Sequence, residues 1–285
     1  MNITPDCVAC IFNQALRVTK VLDLDDVKSK EILDLAAQHL PHFSLDTTPP
    51  QNATPLYEAM AEHLGTKDIY HDIKLRSIQK AKALMPKCEA LLEQSQEKFL
   101  TATKIAVVGN VIDLASEIIY DLDEEVDKVI ESHFAIDDSD ALYEKLSKSK
   151  RVVYLADNAG ENIFDALYIN YLKKEFLDLE FYYFVRGKPI INDLCMEDMK
   201  DDPLEKSTSI VDSGVSTPGI VYHDMTSEAK ALFDSADCII SKGMGNYECL
   251  STNRTHPLFF LLKIKCHVVS TSLNRPLGAI ICKKA

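Results

Sequence analysis

Val152-Val-Tyr-Leu155 runs straight into Ala156-Asp157-Asn158-Ala159-Gly160-Glu161, and then into a stretch of helical period from Glu161 to Glu175. An apolar β-branched run, a polar glycine-containing turn and a helical repeat in succession spell strand, loop and helix. The pattern recurs. Phe181 to Val185 leads into Arg186-Gly-Lys188-Pro-Ile-Ile-Asn192-Asp193, and Cys238-Ile-Ile-Ser241 leads into Lys242-Gly243-Met-Gly245-Asn246, with a helical segment from Ser227 to Ser235 between them. Ile105 to Val108, ahead of Gly109-Asn110-Val-Ile-Asp113, reads as another strand end, and His267 to Ser270 as a further strand. Strands alternating with helices predict an α/β fold, a largely parallel sheet with helices on its faces. In such sheets ligands bind beyond the carboxyl ends of the strands.

This style begins at Lys104; the residues before it read as helical. Ile11, Ala15, Val18 and Leu22 recur at helical spacing, and Glu31 to Leu40 and Thr54 to Leu64 form further helices separated by a loop, Ser44 to Asn52, with a Pro-Pro pair. From Asp72 to Phe99 one apolar stripe passes Ile73, Ile78, Leu84, Cys88 and Leu91, with Pro86 expected to kink it. The acidic segment from Asp121 to Asp140 matches no EF-hand spacing and reads as a solvated face. No internal repeat interrupts the chain.

Composition narrows the function. The 285 residues are 46% hydrophobic and 26% charged, enough to bury a core. Lys and Arg total 31 against 44 Asp and Glu, a formal charge of −13 that disfavours nucleic-acid phosphates and anionic lipid. No apolar run approaches the length of a membrane span, and the start MNITPDCVAC lacks the regions of a signal peptide. Eight cysteines in such a chain read as reduced thiols, which makes a soluble cytoplasmic protein the expectation.

The strand-end loops carry hard oxygen donors and cations. Asp157, Asn158 and Asp193 offer the carboxylate and carboxamide oxygens that Mg²⁺ and Mn²⁺ prefer. Arg186, Lys188 and Lys242 are suited to holding an anion, and Gly160, Gly243 and Gly245 let backbone N–H groups approach it. Metal and phosphate together point to phosphoryl chemistry. Each motif has a plainer reading, since Asp-Asn-Ala-Gly is also a good turn and helix cap, and Lys-Gly-Met-Gly a simple loop. Other site types fail on detail: no GxxxxGK[ST], no GxSxG and no complete GxGxxG occur. Cys7-Val-Ala-Cys10 is a single CxxC, half of a zinc site that Cys88, Cys266 and His267 would have to complete, and reads more simply as two buried thiols at a helix end. The eight histidines show no HxxxH spacing and read as individual surface or core residues.

Taken together, Cys7-x-x-Cys10, Gly109-Asn110-x-Ile-Asp113, Asp157-Asn158-Ala-Gly-Glu161, Arg186-Gly-Lys188-Pro-x-x-Asn192-Asp193 and Ser241-Lys242-Gly-x-Gly245-Asn246 resemble the metal-dependent damage-control phosphatases, in their prokaryotic CxxC-containing branch. The motif order matches from residue 3 to about residue 270. The resemblance implies a helical domain over residues 1–101 packed on a three-layer α/β/α domain over 102–285. It implies a divalent metal (Mn²⁺, Co²⁺ or Ni²⁺, with Mg²⁺ possible) on Asp157, Asn158 and Asp193. Substrate phosphate would meet Asn110, Glu161, Lys242, Gly243 and Asn246, with Arg186 a weaker correspondence. The implied activity is hydrolysis of small phosphomonoesters, sugar phosphates or damaged phosphometabolites, with Asp157, Asp193 and Lys242 as the catalytic set. The absence of a haloacid-dehalogenase DxD after any strand favours direct attack by water. Two departures stand out: Lys188 where many relatives carry a small residue, and a weaker match after His267. An S-adenosylmethionine-dependent carboxyl methyltransferase and a non-catalytic phosphometabolite-binding protein are the rival expectations.

Overall fold

Proline and capping side chains start the N-terminal helices. In the computed structural model, which describes residues 1–111 and 122–285, α1 (Pro5–Val21) opens with Pro5 in its first turn and turns Cys7, Ile11, Ala15 and Val18 inward. Asp25 caps α2 (Asp26–His39) by accepting from Lys28 N at 2.8 Å. The Pro-Pro pair begins α3 (Pro49–Leu64) and does not sit in a loop, because Thr48 and Gln51 exchange side-chain and backbone bonds across the first turn, where proline's missing N–H costs nothing. The long α4 (His71–Gln94) runs through Pro86. Ile32, Ala36, Leu56, Met60 and Ile73 form the core of this helical region, joined by Ile190 from the far side.

Contrary to the strand its apolar run predicts, Ile105 to Val108 lies inside a helix, α5 (Lys98–Val111). Ala102, Ile105, Ala106, Val107 and Val108 are all fully buried, so the helix is apolar on every side and carries no period that separates it from a buried strand. Asp113 and Asp121 lie outside the described residues. The acidic run continues in α6 (Leu122–Glu131), whose Val126 and Val129 face inward.

The sheet follows: β1 (Ile136–Asp137), α7 (Ser139–Leu146), β2 (Arg151–Leu155), α8 (Glu161–Glu175), β3 (Glu180–Val185), β4 (Ser209–Asp212), α9 (Ser227–Asp234), β5 (Cys238–Lys242), α10 (Gly243–Leu250), β6 (Leu258–Lys263), α11 (His267–Leu273) and β7 (Ile280–Lys284). His267 to Ser270 is likewise no strand and opens α11. The Cys266 side chain caps that helix by accepting from Val269 N, and the cap outweighs the strand preference of Val268-Val269.

Among the described residues the sheet has seven strands in the order β1-β7-β6-β5-β2-β3-β4, parallel except for β6 against β7. Both faces are covered, giving the α/β/α layering. Val152, Tyr154, Phe181, Tyr183, Ile240 and Leu261 pack toward α4–α8. Their alternate neighbours Val153, Leu155, Phe184, Ile239 and Phe260 pack toward α9–α11. From β2 the chain first moves outward through β3 and β4, then returns to lay β5 on the other side. The carboxyl ends of β2 and β5 therefore border a topological switch point.

Candidate active site

The switch point gathers the loops that the sequence marks. After β2 the chain passes Asp157 and Asn158 and turns at Gly160, φ 97°, to start α8 with Glu161 in its first turn. After β3 the segment 186–195 folds back beside it. Leu194 N donates to Asp157 O at 3.0 Å, Ala159 N donates to Asn192 O at 2.8 Å, and Asn158 and Asp193 form an isolated bridge. These backbone bonds fix the relative positions of Asp157, Asn158 and Asp193. Ile191, two residues before Asp193, sits at φ 47°, a costly conformation for a β-branched residue and one held by this folded-back segment.

Hydrogen bonds tie the set together. Asn110, at the end of α5, donates through Nδ2 to Asp157 Oδ2 and to Glu161 Oε1, both at 3.0 Å, while its Oδ1 accepts from Lys263 N. Asn158 Nδ2 lies 2.9 Å from the same two acceptors. Arg186 Nε donates to Asp193 Oδ2 at 2.8 Å and Nη2 to Asn246 Oδ1 at 3.2 Å. Asn246 in turn donates to the carbonyls of Ala156 and Lys242, bracing the ends of β2 and β5. Gly243, φ 78°, lies against the Asp157 carboxylate, so close that a Cβ there would sit 1.9 Å from Oδ2.

Beneath this layer lies a buried charge cluster. Lys242 Nζ, fully enclosed, contacts Glu161 Oε2 at 2.9 Å and Asp165 Oδ1 at 2.7 Å, and Asp165 also accepts from the hydroxyls of Tyr154 and Tyr183. Burial alone would lower the Lys242 pKa, but Asp165 and Glu161 overcome it and hold the ammonium above the usual lysine range. Burial would likewise raise Glu161; Lys242 and Lys265, with the Asn110 bond, bring it below its ordinary value. Asp157 goes the other way: burial, then the charges of Glu161 and Asp193, push its pKa well up against the opposing Arg186 and Lys265. Asp193 is raised too, by burial that its Arg186 partner only partly offsets.

Asn110, Asp157, Asn158 and Asp193 line a cleft of about 460 Å³ between the sheet edge and the helical region. Glu161, Arg186, Lys242 and Asn246 are brought to the same place but stand behind it, fully buried as supports of the cleft wall. Lys188 pairs with Glu58 and borders a separate hollow. A larger hollow of about 730 Å³ among α1–α4 contains none of the strand-end residues.

Several participants carry no clear mark in the sequence. Lys265, exposed at the cleft, acts electrostatically on both Asp157 and Glu161. Asp165 completes the Lys242 cage, and its spacing of four from Glu161 on a helix is the signal that points to it. Cys7 and Cys10 line the cleft with Cys266 and His267; Cys10 is exposed, so the expectation of two buried thiols holds only for Cys7. Cys88 is in the other core. No cluster of three or more His, Cys, Asp or Glu side chains is poised for a metal among the described residues. The donor set that fits a hard divalent cation is mixed: two carboxylates and a carboxamide, held by backbone bonds, with the carboxylate charge incompletely balanced.

Residues 3–281 match the family described as the damage-control phosphatase ARMT1-like domain. A damage-control phosphatase of Pyrococcus horikoshii is 31% identical over 286 residues, covering 100% of this chain and 98% of its own length. One from Archaeoglobus fulgidus is 30% identical over 289 residues, covering 99% of each chain. The crystal structure of a DUF89 family protein from Pyrococcus horikoshii superposes with a TM-score of 0.91 at 32% identity, covering 100% of this chain and 99% of that one.

Proposed function

This chain belongs to the ARMT1-like damage-control phosphatase family, and on that premise we propose that it hydrolyses small phosphomonoesters, sugar phosphates or damaged phosphometabolites, with a divalent cation on Asp157, Asn158 and Asp193. The observation that supports the reading best is the convergence of these three oxygen donors on one cleft at the switch point of the sheet. When bound, Mn²⁺, Co²⁺, Ni²⁺ or Mg²⁺ supplies Lewis acidity toward a phosphoryl oxygen and lowers the pKa of water.

The chain's own residues do the rest. Lys265 faces the cleft and meets the phosphoryl oxygens as charge spreads over them, while Asn110, its amide hydrogens committed to Asp157 and Glu161, positions those carboxylates at the cleft wall. Lys242 acts from behind, fixing Glu161, which with Asn110 and Asn158 holds the Asp157 carboxylate in place. Arg186 does the same for Asp193. Water attacks phosphorus directly. The substrate is a small phosphorylated metabolite in the cytoplasm, not nucleic acid or lipid; no helix among the described residues is long and apolar enough to cross a membrane.

Phosphate release tests this reading. Chelator-stripped protein is resupplied singly with Mg²⁺, Mn²⁺, Co²⁺ or Ni²⁺ and offered p-nitrophenyl phosphate and a panel of sugar phosphates, with Asp193→Ala alongside. Metal-restored release that the variant lacks is expected. Metal binding without release from any ester would favour a phosphometabolite-binding protein, and turnover dependent on S-adenosylmethionine a methyltransferase.

A further inference from the structure

Hydrolysis of an alkyl phosphate expels a strongly basic alkoxide, which needs a proton as it leaves. The carboxyls around the oxygen-donor set are already engaged: Asp157 with Asn110 and Asn158, Asp193 with Arg186, Glu161 with Lys242. Glu248 is different. It lies on α10, three residues beyond Gly245, and opens into the same cleft as Asp157, Asn158 and Asp193. Its carboxyl oxygens have no hydrogen-bond or ion-pair partner among the described residues, although its backbone carbonyl accepts from the Met1 ammonium.

We propose that Glu248 is the general acid of the reaction, the group that protonates the leaving oxygen of an alkyl phosphomonoester. The assignment rests on the phosphatase reading above. The P–O bond to the leaving group breaks with its electron pair on oxygen, the Glu248 carboxyl proton passes to that oxygen, and the alcohol departs. The oxygen of water forms the new P–O bond. One of its protons stays on inorganic phosphate and the other restores Glu248 through solvent.

Protonation supports the role. Burial pushes the Glu248 carboxyl up to about 7, against the opposing Met1 ammonium, so a large share carries its proton at neutral pH. The neighbouring thiols do not compete: burial pushes Cys249 up to about 12 and raises Cys266 as well. The cleft's other titratable groups are Asp6, Cys7 and Cys10 on α1, and Lys265 and His267 beside the start of α11. Of these the imidazole is the rival to separate, since histidine is the side chain that most often transfers protons in catalysis.

The test compares wild-type full-length protein, Glu248→Gln and His267→Asn, each reconstituted with Mn²⁺, on alkyl phosphates and on p-nitrophenyl phosphate, whose leaving group departs without help. In Glu248→Gln, kcat on alkyl phosphates is expected to fall by about 100-fold or more, and the loss on p-nitrophenyl phosphate to be at least about tenfold smaller. Wild type and His267→Asn should show alkyl-phosphate kcat falling as pH rises through about 7, a limb that Glu248→Gln lacks. Equal losses on both substrate classes, unchanged turnover, a limb that persists in Glu248→Gln or one that vanishes in His267→Asn would each overturn the assignment. If Glu248→Gln does not unfold cooperatively like wild type, the wild-type and His267→Asn profiles decide by the same criteria. Release by wild type with equal losses refutes Glu248 alone; no release from any ester by wild type refutes the phosphatase reading with it.

Discussion

A methyl group at position 243 would collide with the carboxylate on which the site is centred. The new carbon would stand 1.9 Å from Asp157 Oδ2, on a backbone at φ 78° that side chains rarely adopt. Gly243→Ala therefore displaces Asp157. Calorimetric titration should show Mn²⁺ affinity falling by about tenfold to 100-fold while far-UV circular dichroism still reports a folded chain. Wild-type affinity in that variant would mean that Asp157 is not a ligand. Asp157, Asn158 and Lys242 are legible because they stand at or just past the carboxyl end of an apolar strand, and Asp193 because it closes the polar loop that follows another. Lys265 is not, because nothing local tells one lysine before a helix from any other. Its meaning lies in carboxylates more than a hundred positions earlier in the chain.

At the scale of elements, α5 shows where local pattern stops being informative. Ile105 to Val108 is as apolar and β-branched as any strand here, yet it is a helix enclosed by α4, α6 and α8, and it delivers Asn110 to the cleft. Leu258 to Lys263 raises the same ambiguity with the opposite outcome, a strand buried on both faces. Where every face is buried, neither a period of two nor one of 3.6 survives in the sequence. Ile105→Ala should cost about 2–5 kcal/mol by urea denaturation, the magnitude of a cavity in a closed core. A cost of a few tenths would mean that α5 is not packed as described. The helix Ser227–Asp234 is readable to within a residue because it shows one face to solvent, and the largely buried Glu161–Glu175 because a glycine turn opens it and Lys173, Lys174 and Glu175 mark its exposed end.

At the scale of the whole molecule, the helical region and the sheet are bolted together by a buried cation. Lys74 of α4, 1% exposed, reaches Asp68 at 2.6 Å and Asp198 at 2.7 Å, and Asp198 also accepts from Cys195 N, two residues beyond Asp193. Lys74→Met leaves two carboxylates without their counter-charge beside the loop that positions Asp193. A loss of about 3 kcal/mol in denaturant stability is expected, together with weaker Mn²⁺ binding by calorimetry. Stability unchanged within a few tenths would show that the bolt carries nothing. The sequence by itself determined the alternation of strands and helices, the helical character of the N-terminal segment, and which loops carry oxygen donors and cations. These are written in period, turn residues and caps, all of which act over a few positions. Only the tertiary structure decided that the apolar runs at 105 and 267 are helical, that β7 runs antiparallel to β6, and that Lys242 is a buried support while Lys265 faces the cleft. Those outcomes depend on burial and on charges brought together from distant parts of the chain, and neither leaves a period in the sequence.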